Sequence, residues 1–338
     1  MHELFHASPV HPPTRDPMLL VDAAELRRAL LFDLGDVTPL PPRKLMRLQQ
    51  VFVSHAHMDH FGGFDALLRT VLGRKRLLQL YGGPEFIEQV EHKLRAYTWN
   101  VVANYAVPLE LQVHALQLDA SGVRASFRSD EGFARGAQHP WNAQQGVLLD
   151  DAWLRVRAAF VDHGTPCLAF VCEPRALPRI DAAAVRAMGL RTGPWLRRLR
   201  QALLHGEPDC TLIEVAREGG DAARHDLRSV GELRTLARGS APPRRLGFVT
   251  DLRYSEANVR SLCALMPAVD VLYIECVFLE RDAGHARRKN HLTARQAGEI
   301  ARRLGAGAVV PLHVSPRYQH CQAQLFEEML SAWRGEAA

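Results

Sequence analysis

Apolar residues recur along this chain in short blocks separated by longer helical patterns. Met18–Asp22 and Ala29–Asp33 read as two strands joined by a hairpin connection. Pro41–Leu48 reads as a short helix with proline in its first turn. Val51–Val53 is a β-prone run of the buried type, and Leu77–Tyr81 is a second such strand. Helices are expected over Asp65–Leu72 and, on amphipathic spacing, over Glu85–Tyr97. A β-rich stretch follows at Leu109–Leu116, Val123–Arg128, Gly146–Leu149, Leu154–Val161 and Cys167–Cys172. Further strands are expected at Thr211–Val215, Leu246–Thr250, Val269–Glu275 and Ala308–Leu312. Between and after them the pattern predicts helices at Asp181–Met188, Pro194–Leu204, Ser229–Ala237, Ser255–Leu265, Thr293–Leu304 and Gln319–Arg334. Two halves of strands and helices imply a sheet-on-sheet sandwich covered by helices on both sides. No Pro/Gly/Ser linker divides them, so one domain is expected over residues 1–338.

One loop interrupts this pattern with chemistry. After Val51-Phe52-Val53 the chain reads S-H-A-H-M-D-H-F-G-G, placing His55, His57, Asp59 and His60 within six positions. His55 and His57 are two apart on near-extended backbone and project from one side. Asp59 and His60 follow the bend and point elsewhere, so one loop can serve two ions. Imidazole and carboxylate donors together suit zinc or another borderline first-row ion. Three more donors stand just after expected strands: His163 in V-D-H-G-T-P-C, Asp251 in F-V-T-D and His313 in P-L-H-V-S. Loops at strand C-terminal ends converge on one rim, which makes these three the natural partners of the first loop.

The remaining composition narrows the class. A 47% hydrophobic content over 338 residues supports a sizeable core. No run of eighteen apolar residues occurs, so no membrane span is expected. The first residues lack the basic and apolar regions of a signal peptide. Six cysteines without a C-x-x-C pair fit a reduced, cytoplasmic setting. The formal charge of +5 is compatible with an anionic ligand such as RNA. It is nearly all arginine, which can also follow from a G+C-rich coding sequence.

The motifs as a set resemble the metallo-β-lactamase superfamily, and within it the ribonuclease Z-like branch. S-H-A-H-M-D-H-F-G-G matches S-H-x-H-x-D-H-x-x-G, and V-D-H-G-T-P-C-L-A-F, F-V-T-D, N-H-L-T-A-R-Q-A and L-H-V-S-P-R-Y follow in the family's order. V-D-V-L-Y-I-E-C is similar to V-D-V-x-x-H-E-A, with Ile274 in the histidine position and Glu275 kept. The resemblance implies an α/β fold of four layers, an αββα sandwich of two mixed β-sheets flanked by helices. It implies two divalent metal ions, zinc foremost, with manganese or iron accepted by the same donors. His55, His57 and His163 would hold one ion, Asp59, His60 and His313 the other, and Asp251 would bridge.

The activity implied is phosphodiester hydrolysis, an endonuclease acting on RNA and on tRNA 3′ trailers, through a metal-bound hydroxide. His291, oriented by Glu275, would be the general acid, with Asp59 counted beside them as catalytic. Arg317 and Ser315 would contact substrate phosphate, and Asp162 would steady a ligand imidazole from behind. A homodimer is implied as well. Two other classes stay open: a hydrolase of a small phosphodiester, cyclic nucleotide, sulfate ester or lactone, and a catalytically silent binding protein.

Departures from the family pattern bear on substrate. No F-L-G-T-G-type turn precedes Met18, and Gly62-Gly63-Phe64-Asp65 stands where G-L-P-G is usual. Residues 173–244 form a variable insertion, an arm or a lid, with Gly193-Pro194 echoing the family's arm. Its arginines 191, 197, 198 and 200 read either as an RNA-binding face or as a solvated helix face.

Overall fold

The computed structural model describes residues 5–217, 225–239 and 243–336. The first half builds one eight-stranded mixed sheet, ordered as in the chain: β1 (His6–Pro9), β2 (Leu19–Ala23), β3 (Arg28–Phe32), β4 (Leu48–Phe52), β5 (Leu77–Gly82), β6 (Glu110–Leu116), β7 (Gly122–Arg128) and β8 (His139–Trp141). The middle strands β3 to β6 run parallel, and both flanks are antiparallel. Parallel neighbours need crossovers, and two of these are helices, Phe64–Val71 and Phe86–Arg95. Their buried residues, Phe64, Leu67, Leu68 and Val71 in the first, fall at helical spacing on one face.

The second half repeats the plan. β9 (Val147–Asp150), β10 (Leu154–Asp162) and β11 (Pro166–Pro174) form an antiparallel meander. The chain then leaves for an insertion holding two small ribbons, β12 (Arg179–Ile180) with β15 (Ala237–Arg238) and β13 (Leu212–Ala216) with β14 (His225–Ser229). It returns as the parallel strands β16 (Leu246–Val249), β17 (Val271–Glu275) and β18 (Val309–Leu312). The six-stranded sheet is therefore ordered β18-β17-β16-β11-β10-β9. Helices Glu256–Leu265 and Ala294–Leu304 cover its outer face, and Gln322–Arg334 lies on the latter. That last contact requires Gly298, because a Cβ there would fall 2.2 Å from the Met329 carbonyl oxygen.

The sheets meet through aromatic side chains. Phe32 lies 5.3 Å from Phe52, 5.4 Å from Phe170 and 5.7 Å from Phe248, ring centre to ring centre. Each such fully buried ring contributes roughly 1.5–3 kcal/mol of transfer free energy. The four-layer αββα arrangement expected from the sequence is the one observed. Among the described residues, no helix is long and apolar enough to cross a membrane.

Several expected elements differ in extent. The Pro41–Leu48 helix is a single turn, Pro42–Leu45, and β4 starts earlier than expected, at Leu48. The closing helix begins at Gln322, and the Ser229–Ala237 helix is Val230–Arg234 behind a Ser229/Glu232 capping box. β1, β14 and the helix Ala283–Lys289 were not evident, since none shows an apolar repeat.

The insertion carries its own small core, in which Val185, Trp195, Leu199, Ile213, Val230 and Leu233 meet. Parts of it, 218–224 and 240–242, lie outside the described residues. It joins the sheet at Pro174 and Leu246, the strand ends far from His163 and Asp251. Three of its arginines are held within the chain. Arg198 pairs with Glu207 at 2.5 Å, Arg200 with Glu25 at 2.7 Å, and Arg197 Nε donates to the Glu25 carbonyl at 3.2 Å. These three are half-buried and engaged within the chain, while Arg191 is exposed.

Candidate metal centre

Seven donors from separate loops meet at one rim of the sandwich. β4 delivers Ser54 and His55; His57 precedes, and Asp59 and His60 lie on, the single turn Met58–Phe61. His163 sits in the β10–β11 hairpin, Asp251 follows β16, and His313 follows β18. Asp251 is central. Its Oδ2 lies 3.3 Å from His163 Nε2, 3.5 Å from His60 Nε2 and 3.7 Å from His55 Nε2. Its Oδ1 lies 2.7 Å from His313 Nδ1. Asp59 Oδ2 stands 3.3 Å from His60 Nε2 and 3.2 Å from His313 Nε2.

The donors fall into two groups, His55, His57, His163 and Asp251 in one, Asp59, His60 and His313 in the other, with ligand atoms within 4.8 Å of each other in each. A third grouping, Asp251, Glu275, His291 and His313, shares two of these residues.

The backbone is bent to achieve this. Asp33, Asp251, Asn290 and His313 have φ of 58°, 49°, 57° and 52°. That left-handed region is one Asp, Asn and His tolerate better than other side chains. All four follow a strand or a helix and turn sharply into the rim.

The donor set fits cations. The Nε2 atoms of His55 and His60 are buried without a hydrogen-bond partner. Such an orphan costs about 1–3 kcal/mol unless something completes it, and here both face carboxylate oxygens across a shared space. Burial, helped by the nearby His60, drives His55 down to about 2, so its ring is neutral and its lone pair free. Burial likewise lowers His57. Burial opposes charge on His313, but Asp251 prevails and raises it to about 10. Burial also works against ionised Asp251, yet His313 and His60 hold it well below the usual carboxylate range. A cation entering here displaces protons from His60 and His313.

Around the donors stands a ring of supports. His60 Nδ1 reaches Asp33 Oδ2 at 2.7 Å, a residue the sequence showed only as a strand end. His163 Nδ1 donates to the Asn290 carbonyl at 2.9 Å. Asp162, expected behind a ligand imidazole, instead accepts the Gly164 N–H at 2.7 Å and pairs with Arg253 at 3.1 Å. It shapes the hairpin rather than a ring, because its side chain points outward from the turn. A strand-ending Asp and a lone Asn carry no spacing signal, so Asp33 and Asn290 were not legible as supports.

A cleft of about 530 Å³ opens beside the donors, lined by Arg15, Asp59, His285, Lys289, His291, His313, Ser315 and Arg317. His291 Nδ1 lies 2.9 Å from Glu275 Oε2. Burial pulls His291 down, but Glu275 outweighs it and raises its pKa above the ordinary value. Arg317 is half exposed, 5.8 Å from the Phe278 ring and 3.9 Å from Asp282. A smaller cleft on the other side is lined by His57, Glu85, Gln89 and Thr165.

No family model matches the chain. It is 31% identical to the ribonuclease Z of Deinococcus radiodurans over 335 residues, covering 97% of this chain and 95% of that protein. Among solved structures it is similar to the metallo-beta-lactamase fold protein YhfI of Bacillus subtilis, with TM-score 0.52, 15% identity, and coverage of 96% and 88% of the two chains. It is also similar to the short form of human tRNase Z, with TM-score 0.50, 16% identity, and coverage of 93% and 91%. With that identity sustained over nearly the whole of both sequences, this chain is a member of the ribonuclease Z family, built on the metallo-β-lactamase fold.

Proposed function

We propose that the chain is a metal-dependent endoribonuclease that removes 3′ trailers from tRNA precursors. The observation that carries this reading is the meeting of seven donors, Asp251 central among them, with His291 on the wall of the adjoining cleft. The name of the Deinococcus relative supports the RNA substrate. His55, His57 and His163 would hold one divalent cation and Asp59, His60 and His313 a second, with Asp251 shared. Bound there, two such ions supply Lewis acidity and a nucleophile at neutral pH.

The chain's own residues do the rest. Glu275 accepts from His291 Nδ1, which leaves Nε2 as the atom that gives a proton to the leaving ribose oxygen. Arg317 and Ser315, both on the cleft wall, contact the scissile phosphate. Asp59 fixes His60 and His313 relative to each other through one carboxylate oxygen.

Zinc is the ion this nitrogen-rich set favours. The protein works as a cytoplasmic homodimer on this reading, as one domain whose insertion acts as an arm. Support for an arm rather than a lid comes from the two clefts, neither of which is lined by any described residue of 173–244. An open rim admits a polymer. The test is single-turnover cleavage of a precursor tRNA by metal-stripped protein given back zinc or manganese, with His60→Ala as control. Metal-loaded protein that leaves the precursor intact would refute the proposal.

A further inference from the structure

One donor from each half of the centre is held from behind by the same two residues. Asp33, at the end of β3, is fully buried. Its Oδ1 accepts the Ser54 backbone N–H at 2.7 Å, and its Oδ2 accepts the Ser54 hydroxyl at 3.0 Å and His60 Nδ1 at 2.7 Å. Ser54 Oγ in turn lies 3.1 Å from His55 Nδ1 and, at the longer distance of 3.4 Å, from His60 Nδ1.

The Ser54 N–H and hydroxyl both donate to Asp33; as a carboxylate Asp33 has no proton of its own to give, and His60 Nδ1 is then its third donor. The single hydroxyl proton of Ser54 is committed to Asp33, so Oγ meets His55 only as an acceptor. His55 Nδ1 and His60 Nδ1 therefore both carry protons, and Nε2 of each ring is the nitrogen left to meet a cation. Both Nε2 atoms are buried without a hydrogen-bond partner, and both face Asp251.

We propose that Asp33 and Ser54 form one tautomer-setting node shared by both cation positions, so that the two halves of the centre are chemically linked from the side away from substrate. Both are positioning residues, acting through His55 and His60. The proposal rests on the two-cation reading above, not on the identity of the RNA. Cys167 is the other neighbour of His55 Nδ1, at 3.7 Å, but its thiol donates to the Thr250 carbonyl at 3.5 Å and it has no link to His60.

An isosteric change tests the node. In Asp33→Asn the amide oxygen stays on the Ser54 N–H, which puts the NH2 where Oδ2 was. That NH2 donates to His60 Nδ1 and to Ser54 Oγ, and the freed hydroxyl proton turns toward His55 Nδ1. Both rings are then pushed to carry their proton on Nε2, the wrong nitrogen for a cation. Ser54→Ala takes from His55 its Ser54 partner but leaves His60 its 2.7 Å bond to Asp33, and Cys167→Ala removes neither.

Full-length, metal-stripped protein would be titrated with cobalt(II), reading the visible absorbance bands, with the metal-free thermal midpoint recorded alongside. The wild type is expected to take two equivalents. Asp33→Asn should weaken both by about 10–100-fold, the range typical of lost outer-shell partners. Ser54→Ala should weaken one by a similar factor, Ser54→Thr should restore it, and Cys167→Ala should stay close to wild type. Asp33→Asn weakening only one ion or neither overturns the proposal. So does Ser54→Ala with wild-type titration, which decides the matter even if Asp33→Asn does not fold. Wild type that binds two cobalt ions yet leaves precursor tRNA uncut would sink the RNA reading and leave the node standing; wild type that binds none removes both.

Discussion

Glu275 Oε2 and His291 Nδ1 are 2.9 Å apart, and Glu275 is completely buried. The same carboxylate accepts the Leu292 N–H at 2.6 Å and the Asp251 N–H at 2.9 Å, so it is locked in place. The sign of its effect on His291 sets the pH behaviour. Burial favours the neutral ring, while Glu275 favours the imidazolium and wins, so the pKa rises. A proton donor works while protonated, and a raised pKa extends its working range upward. Without the carboxylate, burial dominates. Glu275→Gln is therefore expected to move the alkaline limb of kcat/KM to lower pH, and His291→Ala to lower kcat by about 10²–10⁴-fold. The measurement is a pH series of RNA cleavage; an alkaline limb that stays put in Glu275→Gln argues against His291 as donor.

Arg317 is poised without being committed. Its nearest acid, Asp282, lies 3.9 Å away and also takes a hydrogen bond from the Tyr318 hydroxyl. The Phe278 ring beside it steadies the guanidinium, and on the reading proposed above its fork meets phosphate. Arg317→Ala should lower kcat/KM on RNA by about 10–100-fold, since a hydrogen bond to a charged group contributes about 1.5–3 kcal/mol. The slope of log kcat/KM against log salt should flatten by about 0.7–0.9, as for one lost phosphate contact. Arg317→Lys should recover the slope but not the full rate, because the fork is gone. An unchanged salt slope in Arg317→Ala would place the residue outside the substrate path.

Gly164 supports His163 through a neighbour. It has φ of +88°, and a Cβ there would fall 2.6 Å from Asn290 Nδ2. Asn290 is the residue whose carbonyl receives His163 Nδ1. Gly164→Ala should cost roughly 1–2 kcal/mol for the left-handed backbone and displace Asn290 as well. The expected result is a lower thermal midpoint together with metal binding weakened by about 10-fold or more at the His163 position. Loss of stability with metal affinity unchanged would show that the Asn290 carbonyl is dispensable.

The sandwich was legible because its strands are apolar blocks and its helices keep an apolar stripe; Phe64, Leu67, Leu68 and Val71 are enough to orient one of them. The donors were legible because a metal site needs rare side chains in tight spacing, as in His55 to His60. What supports them was not. Asp33 and Asn290 act through a single carboxylate and a single backbone carbonyl, and neither leaves a periodic or compositional trace. Asp162 shows the converse, since proximity in sequence to His163 suggested a contact that the direction of its side chain denies. The arginines of the insertion were ambiguous for a related reason, because their partners Glu25 and Glu207 lie outside the local pattern.

Glu25 is the body-side anchor of the insertion. It sits in the turn Ala24–Leu26, before β3 and therefore at the opposite end of that strand from Asp33. Arg200 pairs with its carboxylate at 2.7 Å, Arg197 reaches its carbonyl at 3.2 Å, and Arg200 also donates to the Pro178 carbonyl at 3.3 Å. The Glu25 side chain is 48% exposed, so the pair is worth only about 0.2–1 kcal/mol. That is enough to change the population of an undocked insertion several-fold and too little to unfold the core. Glu25→Lys replaces attraction with repulsion. Limited proteolysis within 175–245 should accelerate several-fold, while cobalt stoichiometry stays at the wild-type value. If the insertion grips RNA, KM for precursor tRNA should rise several-fold and hydrolysis of bis(p-nitrophenyl) phosphate should hold steady. Parallel loss on both substrates would instead mean that the insertion shapes the metal rim itself, which its attachment at Pro174 and Leu246 argues against.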